Sequence, residues 1–379
     1  MIFMKIIFTK APLCRLVRAF ICSAIAFIIA FIPAFLPAQT VNIHSKGTTT
    51  SVKATDLRSI KFGTRMTLQS ATSATVTSVE YSAVDSITVT TAQAVTVTKG
   101  ISRGLADSTW VQAIVTSCAG MFTLGRSGRV KDANGVSWTV PMTVNAGRAA
   151  ADLFNPCAGN STSDTSNIET VVIDPDGVLI TAYIHADNYF ELYVNGTFIG
   201  RDRVPFTPFN SSIVRFRAKY PITYAFKCAD WEEHLGVGME YDTYGVGDAG
   251  IVAYFSDGTK TDETWKAQVF YIAPLDNPAC VVENADGSRT STNCSSRPSC
   301  ASTKTPGNCY AVHYPVPTGW ELRTFDDSKW PAATVFTEAR FAPKEAYTNY
   351  RGLFRDGKFI WTSNLDLDNF VILRKTVTR

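Results

Sequence analysis

Histidine is scarce in this chain, with four in 379 residues, and no His-Glu-x-x-His pair occurs. That removes the helix-borne zinc hydrolase from consideration. Charge is also thin: 18% of residues are charged and the formal net charge is +3. The first 38 residues hold Lys5, Lys10, Arg15 and Arg18 and no acid, so residues 39–379 sum to −1. A phosphate backbone finds no basic field there, which argues against nucleic acid as a partner. Long apolar runs are limited to Ala19–Leu36. This run follows the basic start and ends at Pro37-Ala38-Gln39, the pattern of a secretory signal peptide. Its removal would leave no membrane anchor and place the protein outside the cell or at its surface. No EF-hand spacing is present, and Gly125-Arg126-Ser127-Gly128 is not a nucleophile elbow.

What the chain does have is cysteine. Seven lie beyond residue 38: Cys118, Cys157, Cys228, Cys280, Cys294, Cys300 and Cys309. In an oxidising compartment these are expected to pair. The last four are separated by 14, 6 and 9 residues, with no Cys-x-x-Cys, which favours disulfides among themselves over zinc. Cys118 and Cys157 are a candidate third pair. Cys228 is then left over, and a buried, inert thiol is expected.

Three zones follow from composition: a signal peptide at 1–38, a Thr/Ser-rich zone at 39–100, and a large β region at 101–379 with a Cys-rich insert at about 276–318. The middle zone alternates, as in Ser86-Ile87-Thr88-Val89-Thr90, and suits strands or a stalk. Beyond it, short strand-like runs are punctuated by Asn134-Gly135, Asp174-Pro175-Asp176-Gly177, Asn195-Gly196 and Asp257-Gly258. A helical turn is expected at Ala149–Phe154. Almost no 3.6-residue periodicity appears, so the expected class is all-β, an antiparallel β-sandwich with a small β-rich leader domain.

Several runs carry a more specific likeness. Asp187-Asn188-Tyr189-Phe190-Glu191-Leu192-Tyr193-Val194-Asn195-Gly196 reads strand, turn, return strand. Asp257-Gly258-Thr259-Lys260 leads into Trp265-Lys266, and Phe325-Asp326-Asp327-Ser328-Lys329-Trp330 places an acidic turn before a Trp. Ile360-Trp361 precedes the closing run from Asp368. Over about Ile168–Thr378 the chain resembles the galactose-binding-like jelly rolls found beside bacterial glycosidases, rhamnosidases especially. The resemblance implies a sandwich that binds sugars at loops on one edge, with Trp265 and Trp330 in the packing. It also implies a structural calcium as the one cofactor. No catalytic domain of glycosidase size precedes Arg379, so the expectation is a non-catalytic module.

A pyranose face is apolar and stacks on an aromatic ring while polar neighbours bond the hydroxyls. Trp231, Tyr189 and Trp361 are the candidate platforms, with Asp187 and Asn188 as polar partners. For calcium, the candidates are Asp230, Glu232 and Asp242 in an acidic stretch that also holds Glu233 and Glu240. Extracellular glycan is the expected partner. Two alternatives stand beside it: a surface-assembly protein that binds other proteins, and a glycan hydrolase using carboxylates of residues 230–242.

Overall fold

The computed structural model describes residues 99–379 apart from 105, 114–125, 156–159, 162–166, 204–210, 232–245, 248 and 303–307. In 107–113, 126 and 160–161, and in the paired strands before residue 92, it describes the backbone alone. The chain divides into two compact units, Met1–Val97 and Thr98–Arg379. The first holds two antiparallel sheets. One orders Met4–Ile7, Val84–Thr91, Gln39–Ser45 and Thr48–Lys53; the other orders Leu57–Phe62, Arg65–Ser70 and Val76–Glu80. In Val84–Thr91 the alternation of Thr with Val and Ile suits a strand.

The second unit is all-β and mostly antiparallel. Its first large sheet, sheet I, has Asn160–Ser161, Ala151–Asn155, Ser211–Ala218, Val178–Asp187, Gly250–Phe255, Phe359–Trp361 and Thr334–Phe336 in that order. Thr170–Val172 joins its Ser211–Ala218 strand in parallel. Sheet II orders Thr197–Arg201, Tyr189–Val194, Ile222–Ala229, Asp368–Val377, Lys266–Leu275, Tyr310–His313 and Gly100–Arg103. Between the sheets lies one aromatic core. Phe216 and Phe255 of sheet I meet Tyr224 of sheet II, and Trp265 stacks on Phe226 with ring centroids 5.6 Å apart. Trp265 and Trp330 are both buried, in line with a packing role.

Turn chemistry sets the registers. Asn195 and Gly196 both take positive φ, the requirement of a tight hairpin turn, between Tyr189–Val194 and Thr197–Arg201. At Gly177 a Cβ would sit 2.4 Å from the Ala218 carbonyl carbon, so only glycine lets the two strands approach there. Ala149–Phe154 is no helical turn: Ala151–Asn155 is a strand paired with Ser211–Ala218. Cross-strand partners supply what its local sequence does not specify.

Both faces of sheet II are buried. On the outer face Glu191 stands opposite Lys227, their nearest atoms 3.3 Å apart. Tyr189, Tyr193 and the Asn145 amide also bond the Glu191 carboxylate. Arg374 is sealed beneath the loop after Gly319, donating to Asp327, to the carbonyls of Trp320 and Leu322, and lying over Phe325. The Cys-rich insert packs on the same sheet. Cys280 pairs with Cys294 and Cys300 with Cys309, with Cα atoms 5.0 and 5.2 Å apart. Cys118 and Cys157 lie outside the described residues. Cys228 is a free, buried thiol, and burial pushes its pKa well up.

Among the described residues, one end of the outer face of sheet I is covered by short helices. Three one-turn helices, Glu338–Phe341, Glu345–Thr348 and Arg351–Phe354, lay Phe341, Tyr347 and Phe354 over Leu153, Ile213 and Val252. No helix among the described residues is long and apolar enough to cross a membrane.

Candidate ligand-binding surface

Beside the helices the outer face of sheet I carries a strip whose residues are fixed by register, and Tyr183 at its covered end packs against the cluster under the helices. Ile180, Ala182 and Phe216 point into the core, so alternation turns Leu179, Thr181, Tyr183, Arg215 and Arg217 outward. Across the strands, Tyr183 lies opposite Tyr254, Thr181 opposite Arg215, and Leu179 opposite Arg217. Thr170 and Val172 extend the last two rows from the parallel strand. From Leu179 to Tyr183 the strip runs about 13 Å along the strand. Tyr183 and Tyr254 are half-buried, while Val172 and Leu179 are 55% and 38% exposed. Arg355, at the end of the last short helix, places its guanidinium 5.2 Å from the Tyr254 ring centre. Arg217 gives one N–H to the Gly177 carbonyl at 2.8 Å. Aromatic rings, threonine hydroxyls and guanidinium forks on one sheet face suit a polar ligand with apolar ring faces.

The residues expected from sequence to hold a ligand do gather, but inside. The chain passes from sheet I to sheet II between Asp187 and Tyr189, and Asn188 ties the crossing. Its Nδ2 donates to Asp187, its Oδ1 accepts the Trp231 amide at 2.7 Å, and its own amide donates to Ala229. The Tyr189 and Trp231 rings meet edge to face at 5.4 Å. Trp361 donates its indole N–H to the Asp368 carbonyl, and the next residue, Asn369, accepts the Asp230 amide. Tyr189, Trp231 and Trp361 are at most 1% exposed. None of the three offers a ring face to a sugar; together they pin the crossing. Asp230 is buried there too, while Glu232 and Asp242 lie outside the described residues, as do Glu233 and Glu240. Among the described residues no group of three His, Cys, Asp or Glu is placed to hold a metal.

One arrangement of catalytic residue types went unread in the sequence. Gly100-Ile101-Ser102-Arg103-Gly104 has Gly-x-Ser-x-Gly spacing, and Ser102 Oγ lies 2.6 Å from His313 Nε2. The geometry resembles the start of a catalytic triad, yet its context is different. Ser102 sits within a strand rather than at a strand-to-helix elbow, and it is 2% exposed. The His313 ring is sandwiched between Trp138 and Tyr271, each centroid 5.2 Å away. Asp132 is occupied by the Asn134 and Val136 amides and the Trp138 indole. Burial pushes the His313 pKa down to about 3, with Asp132 opposing weakly. The cluster clamps the Gly100–Arg103 edge strand onto sheet II. His185 lies elsewhere, against Phe341 and Tyr347 on sheet I, so these two histidines do not meet.

A second buried polar centre anchors the insert. Asp368 accepts hydrogen bonds from Ser291 of the insert and from Thr362, both at 2.6 Å. Burial raises its pKa to about 6 against the pull of those two bonds. Nearby, Arg289 lies 3.7 Å over the Tyr314 ring and donates to the Val269 carbonyl. Comparison with protein families, with curated proteins and with solved structures returns no match to this chain.

Proposed function

We propose that this is an extracellular, non-catalytic glycan-binding module of the galactose-binding-like jelly-roll kind, acting through this strip of sheet I. The observation that carries the reading is the in-register pairing of half-buried Tyr183 with Tyr254, flanked by threonine hydroxyls and arginines. Two tyrosines paired on neighbouring strands offer aromatic surface whose placement by the sheet costs little ordering entropy on binding. The disulfides of the insert suit an oxidising compartment. The reactive-type residues described are sealed: Ser102, His313 and Asp368 are each at most 2% exposed.

A glycan array probed with the whole protein and with Tyr254→Ala tests the reading. The native protein should bind a restricted set of oligosaccharides, and Tyr254→Ala should weaken them about ten-fold through lost ring contact. Flat binding across the array would overturn the proposal. So would ligands insensitive to both Tyr183→Ala and Tyr254→Ala.

A further inference from the structure

We propose that the strip selects acidic glycans, specifically uronate-bearing polysaccharides whose carboxylates pair with Arg217 and Arg355. This rests on the glycan-binding reading and narrows it to a ligand class. The argument is one of charge. Among the described residues the strip rows contain Thr170, Val172, Leu179, Thr181, Tyr183, Ile213, Arg215, Arg217 and Tyr254, and no carboxylate. Cations around its margin are neutralised: Lys219 by Asp176 at 2.6 Å, Arg148 by Glu169 at 2.8 Å, and Lys260 by Asp356. Arg217 and Arg355 differ. Among the described residues neither meets a carboxylate; Arg217 has the Gly177 carbonyl and Arg355 has the Tyr254 ring. A guanidinium carries five N–H donors in a planar fork, so one carbonyl bond leaves most of Arg217 available. That fork matches a planar carboxylate in two parallel bonds, and a uronate presents such a carboxylate on a ring whose face can lie on tyrosine. Arg217 and Arg355 stand at opposite ends of the strip, beside Leu179 and Tyr254, so an extended chain with repeated carboxylates can reach both.

The test compares binding of the full protein to polygalacturonate, to its methyl-esterified neutral form, to a neutral galactan and to dextran sulfate. Titration calorimetry at physiological ionic strength limits long-range attraction. We expect polygalacturonate to bind at least ten-fold more tightly than the esterified polymer. Arg217→Gln and Arg355→Gln should each weaken it about ten-fold with unchanged melting temperature, while Lys219→Gln, removing a margin charge, should not. Esterified or neutral polymer bound as well as polygalacturonate would overturn the acidic preference and leave the glycan reading standing. Equal binding of dextran sulfate, weakened alike by all three variants, would show unspecific polyanion attraction and also overturn it. Binding to none of the four polymers would remove both the preference and the site.

Discussion

His313 and Asp368 are buried ionisable groups whose effects on stability run in opposite directions with pH. His313 titrates near 3 in the folded chain against an ordinary 6.5. Below pH 6.5 the unfolded chain takes up a proton that the folded chain refuses, so stability present above 6.5 is lost as pH falls, by at most about 5 kcal/mol. Asp368 titrates near 6 against 3.8. The unfolded chain releases that proton first, so stability is highest below about pH 4 and declines by about 3 kcal/mol as pH climbs to 6. Between pH 4 and 6 the two slopes oppose each other. Urea unfolding across this range should show His313→Phe losing stability as pH rises and Asp368→Asn gaining it, with the native protein flatter than either. Parallel slopes in all three proteins would refute the assignment. Ser102 imitates a nucleophile in its spacing, but its burial predicts that a fluorophosphonate probe leaves it unlabelled in the native protein.

Elements are joined here by polar pairs that sequence separation conceals. Glu191 and Lys227 sit 36 residues apart and face each other on adjacent strands under the Asn145 segment. Burial pulls the Lys227 pKa down while Glu191 pushes it up. Removing one partner strands the other's charge, so Lys227→Met should cost about 3–5 kcal/mol. Adding Glu191→Leu to it should recover most of that, because a buried pair can often be exchanged for apolar side chains at little cost. Denaturant midpoints of the single and double variants decide this; equal losses in both would contradict it. The insert is held by two disulfides closing short loops of 14 and 9 residues, worth about 2–3 kcal/mol each. Cys280→Ser with Cys294→Ser should speed proteolysis within residues 281–299 and lower the melting temperature. Unchanged cleavage would mean that Ser291, Arg289 and Asp368 hold the insert without help.

Strands were the legible part. Asn195-Gly196 and the alternating runs around it announce a hairpin, because turn chemistry is local. The same logic failed at Ala151–Asn155, where the run after Ala149-Ala150 is a strand only through its neighbour Ser211–Ala218. It failed also at the three one-turn helices, too short to show a period. Tyr189 opens one strand, Trp361 closes another, and Trp231 follows the end of Ile222–Ala229. Nothing local says that those ends enclose the crossing between sheets. The strip of Tyr183 and Tyr254 was hidden for a related reason: strands apolar on both faces lose the period-two signal that would mark an outward row.

At the scale of the whole molecule, the sheets of each unit are assembled from that unit's own strands. The Thr98–Arg379 unit has its own continuous core, two interlocked sheets and, among the described residues, two disulfides. A unit so built should fold independently. The piece 98–379, expressed with its disulfides oxidised, should therefore melt cooperatively within about 2 °C of the main transition of the whole chain. The Thr-rich unit offers the opposite test. Residues 39–97 contain only Phe62 and Tyr81 as aromatics, so little apolar area is available to offset chain entropy. Deleting them should leave the main transition in place. A fall of more than several degrees, or a broad non-cooperative melt in the shorter piece, would show that the sandwich draws stability from the leader unit.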